Sequence, residues 1–193
     1  DLNQRRTNHT FYSWPNLASD LEISADPGFT PETLEQGYRS TRQILDYASN
    51  LLETTDRHPK ALGDGPAPTV AKVKKEAIPV AARREAIRLC GRYPAGKVSV
   101  ISVEPEDIRQ EFLRTGWHRT AVRYALSDGS GHEVSVYKPV MARGLEFDGV
   151  VVVEPGDFPE NLGKQGRLYT ALTRANKELT VLHSTPLPMA LKG

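Results

Sequence analysis

The chain has 193 residues, 38% hydrophobic and 25% charged, with a net charge of +1 and one cysteine. That length holds one domain with a sizeable core, and the near-balanced charge excludes a strong overall pull onto nucleic acid or anionic lipid while leaving room for a local basic groove. A single cysteine excludes an internal disulfide and fits a reducing, cytoplasmic setting, and no stretch reaches the ~18 apolar residues of a membrane span.

Residues 1–31 are polar, carry turn signals at "WPN" and "ADPGFTP", and read as an irregular or weakly helical entry segment. The opening "DLNQRR" lacks a methionine, so the chain is expected to be a piece of a longer protein. A helix is predicted over 40–53, with Ser40 as its N-cap and Ile44, Leu45, Ala48, Leu51 and Leu52 as its stripe. A Pro/Gly loop follows at 58–68, then a helix over 80–93. Cys90 lies three residues after Ile87 on the apolar face of that helix and reads as core. A strand at 97–103 precedes a helix over 105–117 with Pro105 near its first turn. Strands at 119–126 and 133–139 flank the turn "SDGSGH", and "GVVVVEPGD" is a continuous apolar run ending in turn residues.

The last elements are a helix feeding directly into a strand, "GRLYTALTRANKELTVLHS". Leu168, Ala171, Leu172 and Ala175 have helical spacing; Tyr169, Thr170, Thr173 and Arg174 fall off that stripe. Strands alternating with helices, and lacking clean in/out alternation, predict an α/β fold with a mainly parallel sheet covered by helices. Ligands in such sheets collect at the carboxyl ends of strands, where "ARGLEFD" and the terminal helix are expected to lie.

The chemistry starts from an absence. No G-x-x-x-x-G-K-[ST] phosphate loop is present, and no Asp-Glu pair ends an apolar strand to hold Mg²⁺. Alone, this chain is expected not to hydrolyse ATP. It does carry arginines that a partner domain could use, as in the arginine-finger arrangement. The five histidines have no ligand spacing, so no metal site is expected.

Three segments, "LEQGYRSTRQIL", "ARGLEFDGVVVV" and "LYTALTRANKEL", resemble in order three motifs of the second RecA-like motor domain of UvrD/Rep-class superfamily 1 helicases. "DLNQRR" resembles the tail of a fourth motif, which closes the first motor domain. The resemblance implies a P-loop NTPase fold lacking its own P-loop, with residues 1–31 as linker and tail of a preceding domain and 32–193 as the motor domain. It implies a site for ATP, with Mg²⁺ held mainly by the upstream RecA-like domain. Within it, Gln4 senses the terminal phosphate, Tyr38 stacks on the adenine, and Arg39 reaches the terminal phosphate. Gly144 makes the turn that presents Glu146 to the ribose, and Arg174 is the second arginine finger. Trp14 matches an aromatic that stacks on a DNA base.

Blander readings stand beside these. Arg39 and Arg174 also suit ion pairs or a solvated surface, Glu146 suits a pair with Arg143, Tyr38 a half-buried core position, and Trp14 local packing. Trp117 reads as core. Two departures matter. Lys138, Pro139 and Val140 in "YKPVMARG" replace the Thr-x-His run expected to couple DNA to the nucleotide, and the large insertion of UvrD and Rep is absent. The closing "LTVLHSTPLPMAL" is more similar to the HelD-type branch, whose partner is bacterial RNA polymerase rather than single-stranded DNA.

Overall fold

The computed structural model describes residues 19, 36–37, 39–52, 60–61, 63–159 and 164–192. Among these, the strands are β1 (Gln36–Gly37), β2 (Lys60–Ala61), β3 (Thr69–Lys72), β4 (Val98–Ser102), β5 (His118–Arg119), β6 (Ala125–Ser127), β7 (Glu133–Tyr137), β8 (Phe147–Val153) and β9 (Ala175–His183). The helices are α1 (Arg42–Ser49), α2 (Ile78–Arg92), α3 (Glu106–Arg114) and α4 (Lys164–Leu172). β1 and β2 form a small parallel pair; the other seven strands form one sheet in the order β3-β9-β8-β4-β7-β6-β5. Pairing is parallel from β3 through β7 and antiparallel at the β7-β6-β5 end.

The central strands are valine-rich because helices cover them on both sides. All five residues of β4 are buried. On one face, Ile44 and Ala48 of α1, Leu168 and Leu172 of α4, and Ala142 from the β7–β8 crossover pack on Ile101, Val150 and Val152. On the other, Ala82, Ala86 and Leu89 of α2 and Ile108 and Phe112 of α3 pack on Val98, Val100 and Val151. Helix α2 sits close: a Cβ on Gly149 of β8 would lie 3.1 Å from both Leu89 methyls, so that strand position is glycine. Trp117 is core, edge-on to Phe112 at 4.9 Å, and Cys90 is buried and unpaired, its thiol pushed up to about 11 by burial.

Several local expectations need correction. Ser40 does not cap α1. Thr41 holds the N-cap position without a side-chain bond, and Ser40 points elsewhere. The strand expected at 119–126 is broken, because Thr120–Tyr124 turn between β5 and β6. β3 and the β1–β2 pair lie outside the expected strands. In α4 and the residues that follow it, those off the stripe are not on a solvated face: Tyr169, Thr170, Thr173 and Arg174 are all buried. A helix between a sheet face and a neighbouring helix can be enclosed all round, and its polar members must then find internal partners.

Candidate functional site

Those partners define the site. Thr173 Oγ1 donates back to the Tyr169 carbonyl at 2.8 Å, and Thr170 Oγ1 to that of Gly166. By bonding back onto carbonyls one turn earlier, the two threonines keep their own hydroxyls paired in the interior. Arg174 follows at the helix-to-strand junction, 1% exposed. Its Nε donates to the Thr170 carbonyl at 3.0 Å and its Nη1 to the Leu145 carbonyl at 3.0 Å. A cation at a helix C-terminus is favoured by the helix dipole, and here it also staples the helix to the loop entering β8. The Phe147 amide closes the loop by donating to the Arg174 carbonyl at 3.0 Å.

Gly144 is in that loop with φ +79°, a conformation that side-chain-bearing residues rarely adopt. No atom lies within 4 Å of where its Cβ would be, so backbone conformation alone requires the glycine. The turn presents Glu146, which pairs with Arg39, not with Arg143. Arg39 remains 57% exposed. The residue beside it is anchored instead: Ser40 Oγ donates to the Ala175 carbonyl at 2.7 Å. The segment before α1 is therefore tied to the start of β9.

Arg39, Gly144, Glu146 and Arg174, far apart in sequence, converge on one place. Burial holds the Arg174 guanidinium below the ordinary arginine value; Arg39 and then Arg143 push the same way, and Glu146 opposes them. Arginine stays charged nonetheless. Among the described residues, three guanidiniums, Arg39, Arg143 and Arg174, gather with one carboxylate, Glu146, a balance that suits a polyanion such as a row of phosphates. The residues present fit a nucleotide's phosphates and a ribose hydroxyl, but not its metal: among the described residues no group of three or more His, Cys, Asp or Glu could hold one. Gln4, Trp14 and Tyr38 lie outside the described residues.

The cluster sits at the amino ends of β8 and β9, since Glu146 precedes the first and Arg174 the second. The expectation of the carboxyl ends is corrected here. The crossover from β7 returns over the sheet before β8 begins, carrying "ARGLE" to the opposite edge from the end of β7. Ser40 and the Leu145 carbonyl are participants that sequence reasoning did not place in the site. Only Ser40 had a signal, its adjacency to Arg39; a backbone carbonyl has none.

The architecture matches solved structures. The C-terminal domain of a possible DNA helicase from Lactobacillus plantarum WCFS1 superposes with a TM-score of 0.62 at 23% identity, over 81% of this chain and 92% of that one. The fold is RecA-like. The helicase of PRRSV (16% identity, TM-score 0.44, 95% of this chain and 28% of that one) and the large terminase of a thermophilic bacteriophage (10%, 0.42, 76% and 39%) are more distant. No protein-family model matches this sequence, and no curated protein does. Among the described residues, no helix is long and apolar enough to cross a membrane.

Proposed function

We propose that residues 32–193 are the second, C-terminal motor domain of a UvrD/Rep-class superfamily 1 helicase or translocase, and that residues 1–31 are the linker and the tail of the first. One observation carries this reading: Arg39, Glu146 and Arg174, each from a different motif, meet at one charged cluster held by backbone ties. In this proposal the cluster completes a composite ATP site with an upstream RecA-like domain, which supplies the phosphate loop and most of the Mg²⁺ contacts. Arg39 and Arg174 offset charge on the terminal phosphate, Glu146 bonds the ribose, Tyr38 stacks on the base, and Gln4 senses the phosphate from the domain junction. Closure of the two domains on ATP and release after hydrolysis would move the pair along single-stranded DNA in the cytoplasm. The likeness of the fold to a domain described as part of a possible DNA helicase supports the choice of class.

The deciding experiment measures ATP turnover by the full-length parent with and without single-stranded DNA, for wild type and Arg174→Ala. The expected result is DNA-stimulated turnover that Arg174→Ala abolishes. Turnover unchanged in that variant removes Arg174 from the site. A second reading, a HelD-type NTPase acting on RNA polymerase, is favoured by one feature. The crossover segment in place of the Thr-x-His run is a 3₁₀ turn, Pro139–Met141, with Val140 and Met141 exposed, which suits a protein surface better than a phosphate backbone. A rate indifferent to DNA but altered by RNA polymerase selects it.

A further inference from the structure

At the opposite edge of the sheet, β4 sends its connection, α3, to one face, while its neighbours β7 and β8 send theirs to the other. Adjacent parallel strands whose connections part in this way leave a crevice at their carboxyl ends, the usual ligand position in open α/β sheets. The side of that crevice next to β7 is built from aromatic and cationic groups. Tyr124, just before β6, meets Tyr137 at the end of β7 edge-on, with centroids 5.5 Å apart. The Arg109 guanidinium of α3 lies 5.2 Å from the Tyr124 centroid, and that of Arg123 lies 4.8 Å from it.

The two arginines are held differently. Arg109 is fixed by the Val136 carbonyl at 2.7 Å and by Glu106 at 3.2 Å. Arg123 is exposed, and among the described residues it has no carboxylate partner, only the ring beneath it. Two guanidiniums on one ring repel each other, and an approaching anion relieves that repulsion. No acidic residue occurs from Thr115 to Ser127, and Lys138 follows Tyr137 directly. Glu104, Glu154 and Asp157 gather instead toward β8. Tyr124 also has φ +70°, which a bulky residue rarely adopts, and it is kept there by a bond from the Val136 amide to its carbonyl at 2.9 Å.

The geometry points to this corner, Arg123 over Tyr124 with Lys138 one residue past Tyr137, as a stacking contact for single-stranded nucleic acid: a base on the Arg123–Tyr124 layer and a phosphate at Lys138. It deepens the motor-domain reading and rests on it for the kind of strand. Planar guanidinium on an aromatic ring offers every base a face to stack on and supplies charge for the backbone.

The test titrates this chain, without ATP, against a fluorescein-labelled oligo(dT) of about 12 nucleotides at low salt, read by anisotropy. Tyr124→Asn tolerates the left-handed backbone and removes the ring; it is expected to weaken binding about tenfold or more. Arg123→Ala is expected to weaken binding and to reduce the salt slope by about one. Arg84→Ala removes an equal charge from α2 and is expected to change nothing. Absence of wild-type binding, or equal binding by Arg123→Ala and Tyr124→Asn, overturns the assignment. So does polyglutamate of equal charge competing as well as DNA, which would make the corner an acidic-peptide site. Should Tyr124→Asn fail to fold, Arg123→Ala decides alone. ATP turnover by the parent separates the two readings: Arg174-dependent turnover without oligonucleotide binding removes this corner and leaves the nucleotide site, and the converse removes the nucleotide site.

Discussion

Two arginine-rich places lie at opposite edges of the same sheet and are built in opposite ways. At the amino edge, Arg174 is buried and fastened to the carbonyls of Thr170 and Leu145. At the carboxyl edge, Arg123 is held, among the described residues, by an aromatic ring alone. The first arrangement fixes a charge in direction and depth, so that it is a structural tie. The second leaves a charge mobile enough to meet a ligand of variable shape. The difference predicts which substitutions alter stability and which alter binding alone.

The largest effect is expected from Arg174→Ala. It removes a charged donor from the Thr170 and Leu145 carbonyls, and charge-assisted bonds of this kind make the loss about 3 kcal/mol. Urea denaturation of this chain measures it, and a loss below about 1 kcal/mol would erase the contrast with Arg123. Ser40→Ala comes next, at about 1.5 kcal/mol, because the Ala175 carbonyl loses its 2.7 Å donor. If α1 is anchored this way, the variant should also lower turnover in the full-length parent. Gly144→Ala, forced into a left-handed conformation, should cost about 1 kcal/mol by the same measurement; no loss would mean that the loop relaxes freely.

Acidity provides a further test, centred on the carboxyl edge. Burial pushes the Glu154 carboxyl up, but four donors from Ser184 and Thr185 outweigh it and hold the group below its usual 4.5. A depressed folded value means stability that is fully present above the unfolded pKa and is lost as pH falls through the folded one. Urea midpoints taken from neutral pH down to about 3 should therefore fall less steeply for Glu154→Gln than for wild type. Parallel curves would show that those hydrogen bonds contribute nothing. The smallest effects belong to Arg39→Ala and Arg123→Ala, each within about 0.5 kcal/mol of wild-type stability, since exposed charges contribute little.

The frame of this fold was legible wherever burial imposed a pattern. β4, β8 and β9 show as β-branched runs, α2 and α3 as apolar stripes. Legibility failed where backbone geometry decides. β3 is an edge strand with three of its four residues exposed, so it carries no hydrophobic signature. The 119–126 run has strand-forming residues, yet Tyr124 at φ +70° cannot continue a strand. Ser40 has the chemistry of a cap but serves the start of β9, 135 residues away, a contact no local rule foresees. Within the cluster, Arg39, Gly144, Glu146 and Arg174 were readable only through motif resemblance. Their convergence, and its position at the amino edge, needed the crossover to be traced in space.

The flanks of the sheet have their own consequence. A terminal strand exposes a row of unpaired amides and carbonyls onto which a second chain can add. Here one border is β3, four residues long, preceded by Pro66 and Pro68 and closing on Lys72, with Lys74 and Lys75 just beyond. The other is β5, two residues long, His118 and Arg119. Short length, proline and cationic side chains deny an incoming strand both register and hydrogen bonds. Among the described residues the sheet thus stops at seven strands, and its β-branched interior, the composition that feeds cross-β stacking, is kept back from both borders.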